Sequence, residues 1–167
     1  MPKLSTEEIK NIPKKLQLKI INILKKKIKN HEVIQRLFDD YDADVQDIDL
    51  IPMAFADLDV SARTDHGVIL LNYATLQDGK FLNDDHYLVH EITHFCQQCY
   101  GEKPTHGGKE DYLENKYEKE SFQNQTEYIA DTRGDEAAED YIEGVVDKHE
   151  VPKKDKNKVM DSLLGDD

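Results

Sequence analysis

His90, Glu91 and His94 lie in the run His86-Tyr-Leu-Val-His90-Glu91-Ile-Thr-His94, an H-E-x-x-H pattern inside a stretch of helical periodicity. Residues four apart on an α-helix sit one turn apart on the same face, so the two imidazoles can converge on one metal ion. Glu91 is their neighbour. Its carboxylate is placed to act as general base toward a water activated by that metal, which is hydrolytic chemistry with Zn²⁺ as the expected ion.

The surrounding residues agree with a helix carrying that motif. At about 100° per residue, with His90 as origin, Leu88, Ile92, Phe95 and Cys99 fall opposite the two histidines, giving a core face and a ligand face. Asn83, Asp84 and Asp85 are N-cap types, and Gly101 follows the expected end near Tyr100. His86 continues the stripe, but eight residues of helix separate it from His94 by about 12 Å along the axis, too far for one ion. It is expected at the helix entrance or the cleft rim. Gln97 and Tyr100 stand where a metzincin would carry its glycine and third histidine, so the third ligand must come from another segment.

Acids are dense between Tyr112 and His149, and periodicity decides which points inward. If residues 117–132 are helical, Glu118, Phe122, Gln125 and Ile129 share one face, and Glu120, Gln123, Asn124, Glu127 and Asp131 share the other. Only the first has apolar residues to bury. That favours Glu118 as ligand, with Glu127 and Glu120 as alternatives.

H-E-x-x-H followed by a glutamate from a second helix resembles the gluzincin branch of zinc metallopeptidases. Together with Tyr117-Glu-Lys-Glu-Ser-Phe-Gln-Asn-Gln125, it is similar to small zincin-like proteins encoded by bacteriophages, over residues 51–149. Glu127-Tyr-Ile-Ala-Asp131 reads as E-x-x-A-D, which carries the metal-binding glutamate in several gluzincins; Glu118-Lys-Glu-Ser121 begins alike but has Phe122 where the aspartate would stand. The resemblance implies an α+β zincin-like domain whose strands lie over the metal helix and whose edge strand pairs with an extended peptide.

At 167 residues, one domain with a real core is expected, spanning 1–150, with 151–167 a mobile tail. No stretch reaches the roughly 20 apolar residues of a membrane span, and no apolar signal core opens the chain, so a cytoplasmic location is expected, within a host cell if the chain is phage-encoded. The net charge is −13, distributed as +7 over residues 1–30 and −20 over the rest, and so acidic a chain is a poor partner for nucleic acid. Cys96 and Cys99 are too few for a disulfide framework and lack a second pair for a structural zinc; both are expected as buried thiols on the core face.

Around the motif, Ser5-Thr-Glu-Glu8 is a capping box, Pro13 restarts a helix, and Leu16, Ile20, Ile23, Leu24 and Ile28 form an apolar stripe expected to pack on the domain while the lysines face its acidic body. Ile51, Met53 and Phe55 alternate with smaller residues, and Val68–Ala74 follows the turn signal Asp65-His66-Gly67, which predicts a small antiparallel sheet. Gly134 separates the glutamate helix from another over residues 135–148. The expectation is therefore a zinc metallopeptidase with His90, His94 and Glu118 as ligands, Glu91 as base and a peptide or protein as substrate. Tyr128, Arg133, His66 and His106 are side chains of the right type to stabilise an oxyanion, and spacing does not choose among them. The alternatives are a non-catalytic zinc-binding interaction domain on the same frame, closed by a ligand such as His106, and a surface-binding protein led by the basic helix.

Overall fold

The computed structural model describes residues 6–101 and 115–164. The order is α1 (Thr6–Lys10), α2 (Lys14–Lys29), α3 (Glu32–Asp40), β1 (Met53–Ala56), β2 (Ala62–Asp65), β3 (Val68–Asn72), α4 (His86–Cys99), α5 (Lys116–Arg133), α6 (Asp135–Lys148) and α7 (Lys156–Leu164). The architecture is α+β and mostly helical. Among the described residues no helix is long and apolar enough to cross a membrane.

The three strands form one sheet in the order β1-β3-β2. It is mixed, which corrects the expected antiparallel arrangement: β2 and β3 are an antiparallel hairpin, but β1 runs parallel to β3, Met53 opposite Ile69. The hairpin turns on His66 and Gly67, with φ of 52° and 79°, the pair of left-handed residues that a two-residue turn needs to match strand twist. Alternation buries Met53 and Phe55 of β1 and Ile69 and Leu71 of β3 against the helices.

Two apolar clusters meet at α5. The larger joins α2 and α3 to the sheet and α4, and includes Leu24, Ile28, Phe38, Ile69, Leu88, Ile92 and Tyr128. The smaller holds Phe122 of α5, Ile142 and Val146 of α6, and Leu163 of α7. Residues 151–164, expected to trail from the domain, are thus packed onto it. Leu163 is fully buried, and the carbonyls of Ser162 and Leu163 accept hydrogen bonds from Gln123 and Thr126.

On α2, Ile20, Ile21, Leu24 and Ile28 are buried, but Leu16 and Ile23 of the expected stripe are exposed, because the sheet and α3 cover only the centre of that face. Lysines do reach the acidic body: Lys27 pairs with Asp85 at 2.7 Å and Lys29 with Asp49 at 2.8 Å. Cys96 is buried, whereas Cys99 is exposed in the last turn of α4, a correction to the expected pair of core thiols.

Candidate metal centre

α4 presents His90 and His94 on the side that meets α5, and Glu91 next to them toward β2. Asp85 precedes its first turn but does not cap it; the carboxylate instead accepts a hydrogen bond from the Tyr128 hydroxyl at 2.6 Å and pairs with Lys27. At the other end Gly101 is required, since a Cβ there would lie 2.3 Å from the Gln97 carbonyl oxygen. α5 starts on Asn115, whose side chain accepts hydrogen bonds from the Tyr117 and Glu118 amides, and this cap sets Glu118 in the first turn, facing α4.

The Glu118 carboxylate closes on both histidines. Its Oε1 lies 3.2 Å from His90 Nε2 and its Oε2 lies 2.9 Å from His94 Nε2. The three ligand atoms fall within 4.8 Å of one another, and this is the group of His, Cys, Asp or Glu side chains among the described residues that could hold a metal ion. Burial disfavours charge on Glu118, but hydrogen bonds and charge from the two histidines outweigh it and hold the carboxyl well below the usual carboxylate range. Burial likewise opposes protonation of His94, and the bond to Glu118 overcomes it, raising its pKa.

Two glutamines that the sequence reading did not assign hold the imidazoles. His90 Nδ1 donates to Gln125 Oε1 at 2.8 Å, and His94 Nδ1 donates to Gln97 Oε1 at 2.8 Å. The amide orientations follow from their other bonds. Gln97 Nε2 donates to the Tyr117 carbonyl and Glu120, and Gln125 Nε2 donates to His86 Nδ1 and the Tyr141 hydroxyl. With Nδ1 held protonated by a glutamine, Nε2 is the ring atom that faces Glu118, and loss of its proton would free a lone pair there for a metal ion. Bonds of about 2.0–2.1 Å at tetrahedral angles put ligand atoms about 3.3 Å apart, near the 3.2 and 2.9 Å that separate Glu118 from the two histidines, so the donor set fits a divalent ion.

His86 opens α4, at the helix entrance as expected and outside the cluster. The ring is buried, 4% exposed, and takes part through Gln125. Burial, with Arg133 nearby, lowers its pKa to about 4, so the ring is neutral and its Nδ1 accepts. Glu127 and Glu120 are engaged elsewhere: Glu127 pairs with Arg36 of α3, and Glu120 accepts from Tyr41 and Gln97. Asn124, expected on the solvated face, is buried and donates to Thr93 Oγ1, because α5 has α4 on one side and α6 and α7 on the other.

Glu91 is buried yet not a member of the cluster. Thr64 of β2 donates to both its carbonyl and its Oε1, at 2.9 and 3.0 Å, fixing the carboxylate at the sheet edge. A cleft of about 720 Å³ opens over His90 and Glu91, between the start of β2 and one face of α6. Asn72 N donates to Ser61 O, so the alternating antiparallel pattern turns the backbone groups of Ala62 and Thr64 away from β3, toward the edge of β2 that no strand among the described residues pairs with. Of the oxyanion-stabilising types, Tyr128 is buried against Asp85 and His31, Arg133 ends α5 and His66 is at the hairpin tip; none joins the cluster. His106 is outside the described residues.

The chain matches no family model, no curated protein and no solved structure.

Proposed function

We propose that this chain is a zinc-dependent metallopeptidase of gluzincin type, with a zincin-like arrangement of sheet edge, metal helix and glutamate helix. The observation that carries the reading is Glu91: a buried carboxylate beside the His90, His94 and Glu118 cluster, held by Thr64 and opening on the cleft instead of being used as a ligand. A purely structural metal site has no use for such a base.

Among the described residues two imidazoles and one carboxylate come together, a set that leaves one position of a tetrahedral ion open, as in catalytic zinc sites. Zinc bound there would supply Lewis acidity, polarising a carbonyl and making water easier to deprotonate. Glu91 takes the proton of the attacking water as the new C–O bond forms, and returns it to the amine as the C–N bond breaks. Gln97 and Gln125 keep the histidines in register for this. The free edge of β2 supplies backbone donors and acceptors for an extended peptide, which makes a peptide or protein the substrate class.

The test is zinc content and peptide-library cleavage for the native chain and for Glu91→Gln. The expected result is one zinc in both and cleavage by the native chain alone. One zinc with no cleavage by either would favour a non-catalytic zinc-binding interaction domain; absence of zinc from the native protein would remove the reading.

A further inference from the structure

The α6 wall of the cleft has one residue without a side chain. Tyr141, Gly144, Val145 and Lys148 share the face that looks toward His90 and Glu91, and Gly144 is in the middle of it. Glycine is among the poorest helix formers, so its presence inside a helix calls for a local reason. Backbone conformation does not supply one, since Gly144 is absent from the positive-φ glycines. Packing does not either: a Cβ built on Gly144 meets no atom within 4 Å. The room lies in the cleft.

We propose that Gly144 keeps open a side-chain pocket beside His90 and Glu91, and that this pocket takes a large apolar or aromatic side chain of the peptide that is cut. The proposal rests on the peptidase reading. The chemistry of the walls decides the class of side chain. Tyr87, Tyr141, Phe122, Val60 and Val145 all border the cleft, while the charges of Asp140 and Lys148, opposite in sign, stand on exposed positions of α6. Tyr87 and Tyr141 meet edge to face, with ring centroids 6.0 Å apart, and Tyr141 is held by the Gln125 amide, so the aromatic part of the wall is rigid. A substrate strand on the edge of β2 faces α6 across the cleft and points alternate side chains at it.

A side chain at position 144 would occupy this space without disturbing the core. The test uses the full-length zinc-loaded protein and quenched peptides identical but for one residue, Gly, Ala, Leu or Phe, placed on either side of the cut bond. The native chain should prefer Leu and Phe. Gly144→Leu should reduce kcat/KM for the Phe peptide relative to the Ala peptide by about tenfold or more, the range in which pocket size discriminates apolar groups. Gly144→Ala should act in the same direction more weakly, with a Tm no lower than native. In parallel, N-acetyl-phenylalaninamide is titrated into ¹⁵N-labelled native and Gly144→Leu protein, both checked by circular dichroism. Shifts at the amides of Tyr141, Gly144 and Val145 in the native chain, lost in the variant, support the pocket even if no peptide is cut, in which case only the peptidase reading falls. An unchanged Phe-to-Ala preference in Gly144→Leu, or no shift at those amides in the native chain, overturns the pocket.

Discussion

Gln125 Oε1 accepts the Nδ1 proton of His90 at 2.8 Å, from a side chain with no exposed surface. The same carboxamide donates to His86 and Tyr141, so its orientation is set from three sides, and the tautomer of His90 with it. Gln97 does the same for His94 from within α4. Both candidate ligand histidines are thus aimed by neutral amides, which fix ring geometry without adding negative charge to the site.

Gln125→Leu should therefore bind zinc about 10- to 100-fold more weakly than the native chain while keeping its helical content. Gln125→Glu retains an acceptor for His90 and should keep most of the affinity. Competition with a chromophoric chelator measures both. Native affinity in the leucine variant would remove the positioning role.

Among the three acids considered from sequence, removal should act very unequally. Glu118→Gln should lose tight metal binding, because the carboxylate is the group that closes on both Nε2 atoms. Glu127→Gln should bind normally and lose no more than about 1 kcal/mol, the range of an exposed ion pair such as that with Arg36. Glu120→Gln should also bind, since Glu120 reaches the site only through Gln97. Metal content after gel filtration, with urea denaturation of each variant, separates the cases.

His86 predicts an acid-sensitive fold. Its pKa is lowered to about 4 in the folded chain, chiefly by burial, against an ordinary value of 6.5. The unfolded chain binds its proton first as pH falls, so this group's stabilisation is complete above about pH 6.5 and is lost progressively toward pH 4, by up to about 3 kcal/mol. His94 has the opposite sign, its pKa being raised in the metal-free fold, so the comparison must be differential. With chelator present, the native chain should lose more urea stability between pH 7 and pH 4.5 than His86→Gln does. Parallel curves would show that His86 is not the group responsible.

The helical period made much of the site readable in advance: α4, α5 and α6 begin and end within a residue or two of their expected bounds, and His90, His94 and Glu118 face one another as the face analysis expects. What escaped was set by partners instead of period. Gln97 and Gln125 are uncharged polar residues whose helical position is the same whether they face water or a histidine. Ala62–Asp65 is too short, and too polar on its outward side, to announce a strand. The parallel pairing of β1 depends on a route through β2 that local alternation does not encode. Asn124 falls with the solvated residues if α5 buries a single face, whereas helices cover it on both sides.

The C-terminal segment gives the clearest contrast between sequence and structure. As a mobile tail, residues 151–167 would tolerate any polar replacement. Instead α7 contributes Leu163 to a cluster with Phe122, Ile142 and Val146, and Phe122 in turn stacks edge-on against the His90 ring at a centroid distance of 4.7 Å. Leu163→Ala should then cost about 2–5 kcal/mol, the range for deleting a fully buried leucine, while Leu164→Ala next to it, which is only partly buried, should cost less. Because Phe122 links this cluster to a candidate ligand histidine, the same variant should also weaken zinc binding, though less than Gln125→Leu does. Urea denaturation and chelator competition on the same preparations decide it: a Leu163→Ala chain as stable as native would return the segment to a tail, and normal zinc affinity in a destabilised chain would break the link through Phe122.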